Sequence, residues 1–325
     1  MTIAEPGRRT FAAAQLSRAE GRWQVRRALW TLDERDSVSI AGWRTGKGTW
    51  DGGRPNSNDR RDGREQRHRQ GDGAAVRRQG LECRGDHAKP AAETDLVESA
   101  ALKRIALDVQ EPDSPRAAVA AALEAFGRID VWLNNAGYGA FGPIEAGTRE
   151  QIQRQFDVNV FGLIACVQAI APHFRANRAG TLINVTSVGG LMTVPSYSLY
   201  NASKFAVEGL SEGLWYELGA LGVRVKVIEP GAIATNFGGR SLDAWDYSAV
   251  PDYAPFMEKV KEARKRIVKN SSPPELVAET IYRAATDPSD RMRYLAGPDA
   301  RRFVPLRRLL GAQAQMRLMR RVFRI

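Results

Sequence analysis

Residues 180–204 read GTLINVTSVGGLMTVPSYSLYNASK, and this stretch decides the fold. Gly180 to Thr186 is a short, nearly continuous apolar run, the pattern of a strand covered on both faces. Ser187 and Gly189-Gly190 end it. Helical spacing begins at Tyr200 and holds to Leu221. A buried strand followed by a helix is half of a βαβ unit, and in parallel α/β sheets ligands lie beyond the carboxyl ends of the strands. Ser187 stands at such an end. Tyr200 and Lys204 are four residues apart and share one helix face. A neighbouring ammonium lowers a phenol pKa from about 10 toward working pH. That makes Tyr200 a candidate general acid/base and Ser187 a candidate hydrogen-bond donor to a substrate oxygen. Tyr-x-x-x-Lys by itself is also an ordinary surface pair. Tyr197, with Asn201 four residues on, has no such partner.

Outward from this stretch the alternation continues. Strands are predicted over Lys103–Val109, Ile129–Asn134, Arg224–Glu229 and Arg291–Ala296. Helices are predicted over Ser114–Phe126, Arg149–Arg175 (in two pieces), Pro274–Thr286 and 300–322. The pattern implies an α/β, Rossmann-like, doubly wound parallel sheet with helices on both faces. Two further strand ends carry turn chemistry. Asn134-Asn135-Ala136-Gly137 follows the Ile129 strand, with small residues that let backbone approach a ligand. Pro230-Gly231 ends the Arg224 strand and turns the chain over the site, with Thr235 placed to bond a carboxamide or phosphate. Each of these is also a common turn or strand terminator.

Taken in order, these motifs resemble the short-chain dehydrogenase/reductase family, classical type, over about residues 100–300. The resemblance identifies the catalytic group as Ser187, Tyr200 and Lys204, with Asn159 in Asp157-Val158-Asn159-Val160 as the active-site asparagine. It implies cofactor contacts from Asp108 and Val109 (the adenine end), Asn135, Ala136, Gly137, Tyr200, Lys204, Pro230, Gly231 and Thr235. The implied activity is hydride transfer between NAD or NADP and an alcohol or ketone. Tyr200 passes the proton, Lys204 lowers the Tyr200 pKa and holds the ribose, and Asn159 keeps a water in a relay. The resemblance also implies a homodimer or homotetramer.

Residues 1–95 depart from this pattern. From 51 to 90 there are nine Arg and seven Gly, and the large apolar residues are Val76 and Leu81. Such a stretch cannot offset its ordering entropy by burial. It reads as poorly ordered, or as a mistranslated, frame-shifted segment. The Thr-Gly-x-x-x-Gly-x-Gly turn that the family places near residues 50–60 is absent; Thr45-Gly46 is followed by the wrong glycine spacing. The first βαβ unit is therefore expected to be degraded or missing. An inactive, non-catalytic relic of such an enzyme is the alternative reading. Gly137-Tyr138-Gly139-Ala140-Phe141-Gly142 satisfies G-x-G-x-x-G, but no acidic residue ends a strand about 20 residues later. It reads as an extension of the Asn-Asn-Ala-Gly loop.

The chain carries a net charge of +11, spread over both halves, and its basic cluster at Arg60–Arg69 contains no Phe, Tyr or Trp. Nucleic-acid binding is not expected. Two cysteines and three histidines make neither a disulfide framework nor a zinc set. Met1–Gln15 lacks the apolar core of a secretory signal, no apolar run reaches transmembrane length, and the expected setting is cytoplasmic. Residues 236–270 are expected to cover the substrate. Phe237, Leu242, Trp245, Tyr247, Val250, Tyr253, Phe256 and Met257 suit a bulky, apolar alcohol or ketone, or plain lid packing. The basic helix 300–322 has an apolar side that packs on the domain or a partner subunit, or makes weak peripheral contact with a membrane.

Overall fold

The apolar runs become the strands of one parallel sheet. A computed structural model of the chain describes residues 105–234 and 241–325. In it β1 (Val131–Asn134), β3 (Gly180–Val185), β4 (Val223–Pro230) and β6 (Arg293–Ala296) pair in the order β1-β3-β4-β6. A second, two-stranded parallel pair joins β2 (Gly139–Phe141) to β5 (Leu242–Ala244). The helices are α1 (Ser114–Phe126), α2 (Arg149–Phe156), α3 (Leu163–Asn177), α4 (Ser198–Gly219), α5 (Ala254–Lys269), α6 (Glu275–Thr286) and α7 (Pro298–Phe323).

Alternation along the strands sends side chains to two cores. Trp132, Leu182 and Val225 meet α1, α3 and α4 on one face. Leu133, Ile183, Ile228 and Tyr294 meet Val277, Ile281 and Ala284 of α6 on the other. Helices thus cover both faces, and every residue of β1 and β3 is buried. A third cluster lies over the carboxyl ends, where Met257, Val260 and Ala263 of α5 pack on Met319 and Phe323 of α7.

The long helix expected over Arg149–Arg175 is interrupted, as its pattern implied. The Thr148 side chain and Gln151 form a reciprocal cap that starts α2. A π-helical turn, Asp157–Gly162, joins α2 to α3. Arg149–Asn177 as a whole is long and apolar enough to cross a membrane, a length not seen in the uninterrupted apolar runs. Its apolar residues Val158, Val160, Leu163, Cys166, Val167, Ile170 and Phe174 are in the core.

Four expectations change. The strand over Lys103–Val109 falls partly outside the described residues, and 105–109 is irregular apart from a bridge at Asp108. A strand exists only as part of a ladder, and that bridge is all the pairing these residues show. The strands predicted from Ile129 and Arg291 start at Val131 and Arg293. The region 236–270 contains β5 and the whole of α5, because Met257, Val260 and Ala263 recur at helical spacing and find α7 as their cover. The C-terminal helix is one span broken at Gly311, whose φ of 74° and ψ of 173° are not helical. Residues 1–95 and Thr235 lie outside the described residues.

Candidate active site

The site forms where β3 ends. Ser187 follows the strand in extended conformation and its Oγ accepts from Gly189 N at 3.0 Å, capping the 3-10 turn Val188–Gly190. That turn faces the first turns of α4. Ser187 hydrogen-bonds to Tyr200. Lys204 lies one turn further along α4, its Nζ 5.8 Å from the centre of the Tyr200 ring. Among the described residues Lys204 Nζ has one hydrogen-bond acceptor, Val185 O at 3.0 Å. Ser187, Tyr200 and Lys204 are therefore brought together.

Asn159 completes the group from the π-helical turn. Its Oδ1 accepts from Tyr138 N (3.1 Å), and its Nδ2 donates to Tyr138 O (3.0 Å) and Ser203 Oγ (3.0 Å). The side chain thus clamps the 134–138 loop to α4, its carboxamide spent on protein partners. Gly137 lies beneath this clamp. A Cβ there would stand 3.0 Å from Asn159 Oδ1 and 3.4 Å from Lys204 Nζ, so a larger residue would crowd both. Asn135 and Ala136 beside it are half-buried, and Ala136 packs on the core.

Burial governs the electrostatics. It pushes the Tyr200 phenol up to about 12, against the Ser187 hydrogen bond, which pulls it down. It pushes the Lys204 ammonium down to about 8, while the Glu208 carboxylate pulls it up. The sequence suggested that Lys204 would lower the Tyr200 pKa. In the protein, burial dominates instead and moves the phenol up and the ammonium down. Tyr200 is a protonated phenol at neutral pH and Lys204 is poised near it.

Two supports were not legible in the sequence. Asn134 does not face a ligand. It accepts from Trp132 Nε1 (2.8 Å) and donates to Asn184 Oδ1 (2.9 Å), and Asn184 donates to Ser211 Oγ (2.9 Å). This buried polar chain ties β1, β3 and α4 together below the site. The other support is Asp299, in the first turn of α7. Its Oδ2 accepts from Ala232 N at 2.6 Å, and Gly231 N donates to Ala296 O at 2.9 Å. A Cβ on Gly231 would lie 2.1 Å from Asp299 Oδ1. Glycine is thus required there by close approach, and the Pro230-Gly231 turn is held from 68 residues downstream. A separation of that length leaves no local signal.

Asp108 and Val109 stand in the turn before α1. Asp108 N donates to Ser114 Oγ (2.8 Å), its Oδ1 accepts from Gln110 N (2.9 Å), and Val109 is buried against Gly162. The Gly137–Gly142 run leads into β2 and not into a helix, so its glycines present no helix N-terminus to a pyrophosphate.

Beside Tyr200 the site borders a cluster of aromatic residues. The Tyr197 ring lies 6.0 Å from Tyr200, edge-on, and 4.9 Å from Phe141. Arg264 donates to Tyr197 Oη at 3.0 Å and lies over Phe141. Leu242, Tyr247, Phe256 and Phe303 extend the same cluster. Trp245 is buried against Leu199 and Ala140.

The fold and the Ser-Tyr-Lys-Asn constellation define a class, and the comparisons agree with it. The model of the short chain dehydrogenase family matches residues 80–244. Two uncharacterized oxidoreductases of Schizosaccharomyces pombe are each 44% identical over 191 residues, 59% of this chain and 80% of theirs. The 17-beta-hydroxysteroid dehydrogenase type 1 of Mus musculus is 36% identical over 226 residues, 67% of this chain and 63% of that one. The crystal structure of a short-chain dehydrogenase from Streptomyces avermitilis superimposes with a TM-score of 0.58 at 32% identity, over 69% of this chain and 80% of that one. One from Burkholderia phymatum in complex with NAD gives 0.55 at 28% identity, over 64% and 75%. The chain belongs to the short-chain dehydrogenase family.

Proposed function

We propose that this protein is an NAD(P)-dependent oxidoreductase that interconverts a bulky, apolar ketone and its alcohol, with Tyr200 as the general acid/base. The convergence of Ser187, Tyr200 and Lys204 at the carboxyl end of β3 carries this reading. The described residues fit the nicotinamide end of a dinucleotide: Lys204 has ammonium protons beyond the one given to Val185 O, and Gly137 keeps the space beside it free of a side chain. When bound, the nicotinamide supplies or accepts the hydride.

The chain's own residues handle the oxygen. Ser187 and Tyr200 are hydrogen-bonded to each other and both face the substrate oxygen. As a phenol at neutral pH, Tyr200 gives its proton to the oxygen of a ketone undergoing reduction. Ser187 holds that oxygen by a hydrogen bond. The Lys204 ammonium stabilises the phenolate left behind, and Asn159 fixes the loop that borders Lys204. Phe141, Tyr197, Leu242, Phe256 and Phe303 favour an apolar substrate body, and the steroid-named relative is consistent with that size class.

The missing glycine-rich turn in the first 95 residues supports a second reading, a non-catalytic relic. Titration of the full chain with NADH and NADPH separates the two. Enhanced nicotinamide fluorescence or a thermal shift with one of them, and oxidation of that cofactor by a steroid-sized ketone, is expected. Silence with both cofactors moves the relic reading ahead.

A further inference from the structure

A buried charged cluster beside the site has no part in the chemistry above. Arg293 of β6 bridges Glu208 of α4 and Glu229 of β4. Its Nη1 bonds Glu208 Oε2 and Glu229 Oε1, the latter at 2.6 Å, and its Nη2 reaches the exposed Glu212 at 2.5 Å. Thr186, next to Ser187, donates from Oγ1 to Glu208 Oε1 at 2.5 Å and lies within 3.1 Å of Ile228 O. Glu208 is 5% exposed and Glu229 1%. Two buried carboxylates around one guanidinium are one negative charge more than the pair needs, and a buried charge persists only where something offsets it.

The helix spacing shows what the extra charge faces. Tyr200, Lys204 and Glu208 follow at intervals of four along one stripe of α4. Around Lys204 stand Tyr200 and Glu208 from α4, Ser187 and the Val185 carbonyl from the end of β3, and Asn159 from the π-helical turn. The charge acting on Lys204 is that of Glu208. Around Glu208 stand Thr186, Arg293, Glu212 and Glu229, and Arg308 of α7 acts on Glu229. Burial and the Glu208 charge push Glu229 up to about 7. Of the two carboxylates, Glu229 is thus the one that yields by taking a proton near neutrality. Burial and Glu212 raise Glu208 as well, against its Thr186 and Arg293 bonds, which pull it down and favour its carboxylate.

We propose that Glu208 is a positioning residue that acts through Lys204: clamped by Thr186 and Arg293, its carboxylate keeps the Lys204 ammonium charged in a dry site and so sets the upper pH limit of the reaction. The catalytic clause rests on the oxidoreductase reading above; the coupling of Glu208 to Lys204 does not.

The test uses the full chain labelled with [13Cε]lysine, the Lys204 resonance being the one lost in Lys204→Met. In Glu208→Gln the Lys204 midpoint is expected to fall by about one pH unit, as for loss of a neighbouring opposite charge. Thr186→Val keeps every charge but removes a bond that holds Glu208 ionised, and should move the midpoint the same way by less. It serves if Glu208→Gln does not fold. An unmoved midpoint in a folded variant overturns the proposal. With a turned-over ketone, the alkaline limb of kcat/KM should move down with the resonance; a limb that stays in place overturns the catalytic clause. A merely structural Glu208 would lower Tm and leave both midpoints where they were. If the native chain binds neither NADH nor NADPH, the function reading fails while the lysine titration still decides the coupling.

Discussion

Lys204 and Lys226 are both buried, yet they serve opposite ends of the sheet. Lys226, in the first half of β4, donates to Ser289 O (2.5 Å) and Arg291 O (2.8 Å) and stands 3.4 Å from Tyr294 Oη. Tyr294 Oη in turn donates to Asp287. This lysine ties down the chain entering β6. Lys204, at the carboxyl end of β3, meets the Val185 carbonyl as its one acceptor among the described residues. Burial lowers the pKa of both ammonium groups. The difference lies in their partners: a buried cation whose protons are accepted is an anchor, and one left with protons to give is poised for a ligand. A hollow does not by itself mark the working end. One of about 460 Å³ lies at the anchored end, lined by Trp215, Tyr216, Arg224, Lys226 and Asp290.

The strongest way to break this comparison is Tyr200→Phe. If the carboxyl end is the working end, ketone reduction should fall by roughly 10²–10⁴-fold, the usual range for a lost general acid. Cofactor affinity, read by nicotinamide fluorescence, should hold within a few-fold. Undiminished turnover would remove the chemistry from this end.

The two lysines should then answer truncation with opposite signs. Burial holds the Lys204 ammonium down at about 8, against an ordinary lysine value of 10.5. The unfolded chain holds that proton more tightly, so the folded state bears a cost at pH 7 that shrinks from pH 8 and vanishes above 10.5. Lys204→Met should abolish activity and raise stability by up to about 3 kcal/mol at pH 7, at 1.36 kcal/mol per pKa unit. The gain should fade over that window. Lys226→Met removes the donor that the Ser289 and Arg291 carbonyls share and should destabilise by about 1–3 kcal/mol, at about 0.5–1.5 for each bond lost. Urea unfolding at pH 7 and 10 reads both. Destabilisation by both variants would erase the distinction.

Asp299→Ala offers a finer test. It removes the acceptor for Ala232 N and should cost about 1–2 kcal/mol. If the Pro230-Gly231 turn belongs to the cofactor site, nicotinamide affinity should also weaken several-fold, while Lys204 titrates as before. An unchanged affinity would leave Asp299 as a loop staple alone.

The sequence was informative where the signal is local. The 180–204 stretch showed a strand, its end and an i,i+4 pair on the next helix, because strand and helix periods are written into adjacent residues. α1 occupies the residues its spacing predicted, and α4 is displaced by two at each end. The interruption of Arg149–Asn177 was also visible. By contrast, β2, β5 and α5 were read as loop. β2 and β5 are three residues each and find each other across about a hundred residues, and α5 takes its identity from the face α7 covers.

Residue order alone settled the class of fold, the succession of the four strands of the main sheet and the residue types that stand at their ends. Periodicity and turn chemistry are properties of neighbouring residues, so they survive without coordinates. Only the tertiary structure decided that Asn134 is a buried tie and Asn159 a clamp, that Asp299 holds the Pro230-Gly231 turn, and that Glu208 shares Arg293 with Glu229. It also decided the sign of the Tyr200 shift. Hydrogen bonds across 20 to 85 residues and the partial loss of water around a half-buried phenol depend on what the whole fold brings together, and no run of adjacent residues carries that information.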